Sequence, residues 1–162
     1  YTGPMYQKYN AVLRFFSDEP LHASRANIPF IQRQCETLGL GDWMEEKDGT
    51  MQWKWCNMYS TTIHAINSCV LKLSKLTIAC KVWRGFTGAS LPACIFEANA
   101  EGVKGGIEFG FSSTTSDRTQ ALHYASGKAS TVFEIEMGMV DRGADFSWMS
   151  QYPHEREILF PP

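Results

Sequence analysis

Two glutamates near the end of the sequence, in the stretch YPHEREILFPP, are spaced for electrostatic or acid–base chemistry. Glu155 and Glu157 are predicted on one strand, where residues two apart face the same way, with Cα atoms roughly 6–7 Å apart. A carboxylate pair can stabilise a developing positive charge and can remove a proton from a nucleophile. The same spacing also fits the solvent-exposed face of an edge strand, so the pair alone does not establish a site.

Two further stretches carry residues that can bind or orient a ligand. Arg84 in VWRGF is predicted at the end of a strand, where its guanidinium can hold a phosphate pair, and Gly85 lets a ligand approach the backbone closely. A strand-terminal salt bridge is the alternative for this arginine. Ser113 in GFSSTTSD can donate a hydrogen bond that orients a carboxylate. The alternative is a turn in which Ser116 or Asp117 caps the next helix.

The elements that must position these residues change in character along the chain. Apolar residues recur at helical spacing in PMYQKYNAVLRFF, in the shorter IPFIQRQCETLG and over Trp55–Leu76, with GDWMEEKDG as a polar connection. Strand-like runs rich in β-branched and aromatic residues follow: LTIACKVWRG, GIEFGFSST, STVFEIEM and EREILF. One polar helix, DRTQALHYAS, separates them.

This order predicts an α+β fold in one domain covering residues 1–162. A helical lobe (1–76) packs on a mostly antiparallel β core (77–162) that carries the three stretches. The sequence starts at Tyr1 rather than at Met, so we expect both ends to be trimmed from a longer protein.

Composition and cysteine spacing narrow the possible partners. The 162 residues are 44% hydrophobic with a net charge of −2, so no nucleic-acid or membrane partner is expected. No CxxC pair or His/Cys cluster is present, so no metal is expected. The five cysteines are scattered along the chain: Cys35, Cys56, Cys69, Cys80 and Cys94. They predict reduced, buried thiols in a cytosolic setting, and the alternative is one disulfide with three free thiols.

An arginine on a strand, a Ser/Thr run and a late E-x-E, in that order, together resemble the R-S-E signature of mono-ADP-ribosyltransferases. YTGPMYQKYNAVLR is similar to the opening helix of the eukaryotic-type arginine transferases, and GFSSTTSDRTQALHYA to their F-x-S-T-S strand with its helix. FSWMSQYPHEREILFPP resembles their loop ending Y-P-x-E-x-E-x-L-x-P-P. The chain departs from the family at Thr115, where the family has its second serine, and it stops where the family continues into another strand.

The resemblance implies a β-sandwich core of the ADP-ribosyltransferase type, NAD as co-substrate and no metal. Glu157 would lie beneath an oxocarbenium-like ribose and grip its hydroxyl, with Ser113 holding that carboxylate. Arg84 would bind the NAD phosphates, and the backbone at Gly85 would pair with the nicotinamide amide. Glu155 would face the acceptor, with arginine expected and a Ser or Thr hydroxyl as the alternative.

The implied activity is transfer of ADP-ribose from NAD to a protein side chain, with release of nicotinamide. Tyr152 would pack against the protein acceptor, as could Trp148, and Tyr124 or His123 could contact the nicotinamide. Two alternatives use the same site: an NAD glycohydrolase with water as acceptor, and an inactive module that binds NAD or ADP-ribose. The implied location is the cytoplasm, or a host cytosol reached by a bacterial effector or toxin.

Overall fold

The chain forms a mixed α and β structure around a five-stranded antiparallel sheet. The computed structural model describes residues 5–17, 44–53, 57–88, 91 and 93–162. The helices are α1 (Tyr6–Ser17), α2 (Ser60–Leu73) and α3 (Arg118–Tyr124). The strands are β1 (Met44–Lys47), β2 (Thr50–Trp53), β3 (Lys81–Thr87), β4 (Ser112–Thr115), β5 (Ser130–Glu136), β6 (Ala144–Asp145) and β7 (Glu157–Phe160). Short 3-10 turns lie at Ser74–Leu76, Ala93–Ile95 and Pro153–Glu155.

The main sheet has the strand order β5-β3-β4-β7-β6, and all neighbours are antiparallel. β3 and β5 pair along seven positions, and β4 and β7 along four. Among the described residues, β3 and β4 pair at a single position, Trp83 with Thr115. The two central strands therefore separate beyond that position and leave a gap in the sheet.

Apolar side chains pack on both faces of this sheet. Leu159 and Ala144 are paired across β7 and β6, so both face one side, where they join Val70 of α2 and Phe111 in one buried cluster. Leu13 of α1 packs against the same cluster. The opposite face carries a second cluster, formed by Val82, Met137, Ile158, Ile135 and Phe160. Helices α1 and α2 thus pack on one face of the antiparallel sheet, which is compatible with the α+β class, whereas the sandwich arrangement stays a prediction.

Helix α1 is tied to the segment that precedes β4 by polar contacts. The Asn10 side chain accepts a hydrogen bond from the Phe111 N–H at 2.8 Å and donates one to the Phe111 carbonyl at 3.2 Å. The amide thus pairs with the backbone as a neighbouring strand would. Arg14 forms two charged hydrogen bonds with Glu108, at 2.9 and 3.0 Å. Together these contacts set where α1 meets the sheet.

The element predictions succeed for α1, α3 and β5 and need correction elsewhere. The prediction of a polar connection in GDWMEEKDG is wrong from Met44 onward, because residues 44–53 form the β1–β2 hairpin. Its turn lies at Asp48 and Gly49, with φ of 53° and 74°. Positive φ at both positions of a two-residue loop suits an Asp-Gly turn. The long helix begins at Ser60, because Tyr59 is left-handed at φ 49°. The helix predicted in IPFIQRQCETLG lies outside the described residues.

The remaining strands are shorter than predicted at their starts. β3 begins at Lys81 and continues through Gly85 to Thr87, and β4 begins only at Ser112. Asp117, not Ser116, caps α3 by accepting a hydrogen bond from the Thr119 N–H.

Three of the five cysteines lie in the described part of the chain. Cys69, Cys80 and Cys94 are free and exposed, so the expectation of buried thiols is wrong for them. Cys35 and Cys56 lie outside the described residues. None of the helices that the structure describes has the length and apolar character needed to span a membrane.

Candidate active site

A cavity of about 380 Å³ lies where β3 and β4 separate. Its volume is in the range of small-molecule sites. It is lined from α1, β3, β4, α3, the turn before β7 and the start of β7. It brings together six predicted site residues: Arg84, Gly85, Ser113, Tyr152, Glu155 and Glu157.

Glu157 is a buried and hydrogen-bonded carboxylate in the cavity. It is the first residue of β7, is only 7% exposed, and accepts a hydrogen bond from the Ser113 hydroxyl at 2.7 Å. Thr115 pairs with Glu157 across the β4–β7 ladder, so Ser113 is its diagonal neighbour on the same face. Burial of a carboxylate is costly unless it is hydrogen-bonded, and Ser113 supplies that bond. The predicted contact between these two residues is confirmed.

Glu155 reaches the cavity by a different route from the one predicted. It ends the 3-10 turn Pro153–Glu155, and Arg156 after it is left-handed at φ 48°. The prediction that Glu155 and Glu157 share one strand face is therefore wrong, because β7 starts only at Glu157. Both glutamates nevertheless line the same cavity.

The backbone of this turn is fastened to the end of β4. The Thr115 hydroxyl donates a hydrogen bond to the Glu155 carbonyl at 2.6 Å and accepts one from the Asp117 N–H at 2.9 Å. The Ser116 N–H donates to the Arg156 carbonyl at 3.2 Å. Thr115 thus carries a hydroxyl that links the β4 end, the start of α3 and the turn.

The Glu155 side chain is hydrogen-bonded to Tyr124. The Tyr124 hydroxyl donates to Glu155 Oε1 at 2.5 Å. This hydrogen bond, burial and the charges of Glu155 and Glu157 raise the pKa of Tyr124 to about 12. Sequence reasoning placed Tyr124 near the nicotinamide and missed its bond to Glu155. The spacing of 31 residues between the two gives no signal of such a contact.

Arg84 lies in the middle of β3, not at the predicted strand end. It pairs with Phe133, whereas the next residue back, Trp83, pairs with Thr115, so the arginine leaves the sheet on the face opposite to Glu157. Its guanidinium donates to the Ser112 hydroxyl and lies 4.8 Å from the centre of the Phe86 ring. Arg84 nevertheless lines the cavity.

Gly85 has a packing reason that sequence reasoning missed. A Cβ atom at this position would lie 2.0 Å from the Ala121 carbonyl oxygen of α3. The space beside the Gly85 backbone is therefore filled by the helix. The predicted approach of a ligand to this glycine stays a prediction, and the group that packs against it in the structure is a carbonyl of the protein.

The aromatic residues around the cavity differ in exposure. Tyr152 lines it and is 47% exposed, so one side of the ring is open to a partner. Trp148 is 70% exposed and is not among the lining residues that the structure describes. His123 is exposed, and its ring centre lies 6.2 Å from that of Tyr124.

The arrangement pairs one buried carboxylate, Glu157, with a second, Glu155, of intermediate exposure. It includes a single cation, Arg84, among the described lining residues. It can stabilise a positive charge that develops within the cavity, and it can orient a nucleophile beside it. Comparison with family models, with curated proteins and with solved structures finds no match to this chain.

Proposed function

We propose that this domain transfers ADP-ribose from NAD to a protein side chain and releases nicotinamide, with a fold of the ADP-ribosyltransferase type. The observation that carries the proposal is the hydrogen bond from Ser113 to the buried Glu157, inside a cavity that also receives Glu155 and Arg84. Residues that the R-S-E resemblance selects from three distant stretches meet in that cavity.

The charges of the cavity fit the two ends of NAD. Glu157 and Glu155 suit the cationic nicotinamide ribosyl end, and Arg84 is the described lining residue that can hold the phosphates. Use of Arg84 in this role requires its guanidinium to exchange Ser112 for a phosphate oxygen. The Gly85 backbone is proposed to pair with the nicotinamide amide.

NAD supplies a ribosyl carbon whose bond to the nicotinamide nitrogen breaks, with the electron pair leaving on neutral nicotinamide. Glu157 places a negative charge beside the positive charge that grows on the ribose, and Ser113 keeps that carboxylate in place. Such stabilisation is most effective in a site shielded from water, and Glu157 is buried.

Glu155 acts on the acceptor. The acceptor nitrogen or oxygen forms the new bond to the ribosyl carbon, and its proton passes to Glu155, which is intermediate in exposure. The E-x-E pattern favours an arginine acceptor, with a Ser or Thr hydroxyl as the alternative. Tyr152 is proposed to contact the acceptor protein.

The test is nicotinamide release from NAD, measured with and without lysate proteins, by the wild type and by Glu157→Gln. We expect the substitution to reduce release about 100- to 1,000-fold, the scale of removing a main electrostatic group. Glu136→Gln, at an exposed position that ends β5, serves as the matched control and should behave as the wild type. Equal, near-zero release by wild type and Glu157→Gln would identify a binding module instead.

Labelled NAD separates transfer from hydrolysis. We expect label on lysate proteins and, by mass spectrometry, on arginine side chains. Nicotinamide release that is independent of added protein, with no protein labelled, would identify an NAD glycohydrolase and contradict the transfer proposal.

A further inference from the structure

The two glutamates of the cavity are held by hydroxyl groups from two different elements. Ser113 on β4 donates to Glu157, and Tyr124 at the end of α3 donates to Glu155. Among the described residues, Tyr124 is the one side chain that hydrogen-bonds the Glu155 carboxylate. The direction of that carboxylate therefore depends on α3, whereas that of Glu157 depends on the sheet.

Tyr124 extends from a helix that is held in place by contacts with β3. Its carbonyl accepts a hydrogen bond from the Thr87 hydroxyl at 2.6 Å, which ties the end of α3 to the end of β3. About one turn earlier in the helix, the Ala121 carbonyl packs against Gly85 of the same strand. The tyrosine thus extends from a helix end that is fastened to the sheet at two points.

The backbone of Glu155 is fixed separately, by the Thr115 hydroxyl at 2.6 Å from its carbonyl. With the backbone held by β4, the remaining freedom lies in the side-chain rotamers of Glu155. A hydrogen bond of 2.5 Å to one carboxylate oxygen selects among those rotamers and leaves the other oxygen for a ligand.

We propose that Tyr124 is a positioning residue that directs the Glu155 carboxylate toward the acceptor, and so sets how often ADP-ribose passes to an acceptor rather than to water. The inference rests on the proposed function. Its chemistry is specific: the phenol donates and the carboxylate accepts. Since the pKa of Tyr124 is raised to about 12, the phenol stays protonated in ordinary assays and does not serve as the base.

The kinetic test compares wild type with Tyr124→Phe, which removes only the hydroxyl. The measured quantity is the ratio of ADP-ribose transferred to a small guanidine acceptor, agmatine, to ADP-ribose released into water. We expect the ratio to fall about tenfold, the scale of one hydrogen bond to a charged group. Tyr59→Phe, which removes a hydroxyl outside the cavity lining, is the control and should keep the wild-type ratio.

A second measurement needs no NAD. In protein carrying ¹³C-labelled tyrosine, the Tyr124 resonance, assigned through Tyr124→Phe, reports the titration of the phenol. We expect Glu155→Gln to move the pKa of Tyr124 from about 12 back toward its ordinary value of 10.0, because the hydrogen bond to Glu155 is the largest cause of the shift. The remaining influences on this phenol are burial and the neighbouring Glu157 and Tyr152.

The outcomes distinguish the two proposals. An active wild type whose ratio is unchanged in Tyr124→Phe overturns the positioning role and leaves the proposed function in place. A pKa of Tyr124 that does not respond to Glu155→Gln overturns it as well. A wild type that releases no nicotinamide contradicts the proposed function and the positioning role together.

Discussion

At the scale of single residues, the site depends on hydroxyl groups that satisfy carboxylates. Glu157 is 7% exposed and retains one strong partner, Ser113, at 2.7 Å. A buried acceptor that loses its donor costs about 1–3 kcal/mol, so this bond stabilises the local structure as well as setting the carboxylate direction. Function and stability are therefore coupled at this pair.

Replacing Ser113 by Ala should reduce nicotinamide release about tenfold while the protein stays folded. The physical reason is the loss of one hydrogen bond that orients the main electrostatic group. Nicotinamide release, measured at saturating NAD beside a denaturation curve, checks both statements. Ser130→Ala is the matched control, because Ser130 bonds the Gly127 carbonyl on the exposed side of β5. Wild-type rates in Ser113→Ala would show that Glu157 holds its position without this serine.

At the scale of elements, the contact between α3 and β3 keeps the cavity in shape. The absence of a side chain at Gly85 leaves room for the Ala121 carbonyl, and the Thr87 hydroxyl donates a hydrogen bond to the Tyr124 carbonyl. These two contacts hold the short helix against the strand. Asp117 caps its first turn. A helix of 7 residues has little stability of its own, so these contacts decide where it lies.

Gly85→Ala should destabilise the protein by about 1–3 kcal/mol, since the new methyl group would lie 2.0 Å from a backbone oxygen and α3 would have to move. Urea denaturation measures the change in the free energy of unfolding. Gly106→Ala is the control, because its added methyl group meets nothing within 4 Å. If the two variants were equally stable, the packing account of Gly85 would be wrong, and only the ligand account would remain for it.

Element prediction failed where the local backbone departs from regular geometry. Asp48 and Gly49 carry a recognisable Asp-Gly turn signal, which the polar composition of the surrounding stretch obscured. The left-handed Arg156 carries no such signal, since arginine rarely adopts positive φ. Its conformation follows from contacts with β4, through Thr115 and Ser116, that are distant in sequence. The spacing of residues in the sequence does not predict such tertiary contacts.

At the scale of the whole molecule, the resemblance of the three stretches to the R-S-E signature predicted that their residues meet, and they line one cavity. The resemblance did not predict from which face of the sheet each side chain leaves. Arg84 and Glu157 leave the sheet on opposite sides, yet both line one cavity beside β3 and β4, which pair at one position in the described sheet. The length of a ladder depends on packing across the entire sheet, so sequence alone does not supply it.

Helix α1 is joined to the segment before β4 by the ion pair of Arg14 and Glu108. Partial burial raises the pKa of Glu108, but the hydrogen bonds from Arg14 and from the Gly110 N–H, with the charges of Arg14 and Arg84, lower it by more. The pKa of Glu108 in the folded protein is therefore below its ordinary value of 4.5. A lowered folded-state pKa contributes stability above the unfolded-state value, and this stability is lost as the pH falls through the folded-state value.

Glu108→Gln should therefore lower the free energy of unfolding at neutral pH and have a shrinking effect below pH 4.5. We expect a difference of about 1 kcal/mol or less at neutral pH, because the Glu108 side chain is 44% exposed and solvent screens the pair. Urea denaturation of both proteins across this pH range measures it, with Glu101→Gln, in an exposed loop, as the control. A difference that stays constant into acid would show that α1 is held by packing and by Asn10, and not by this ion pair.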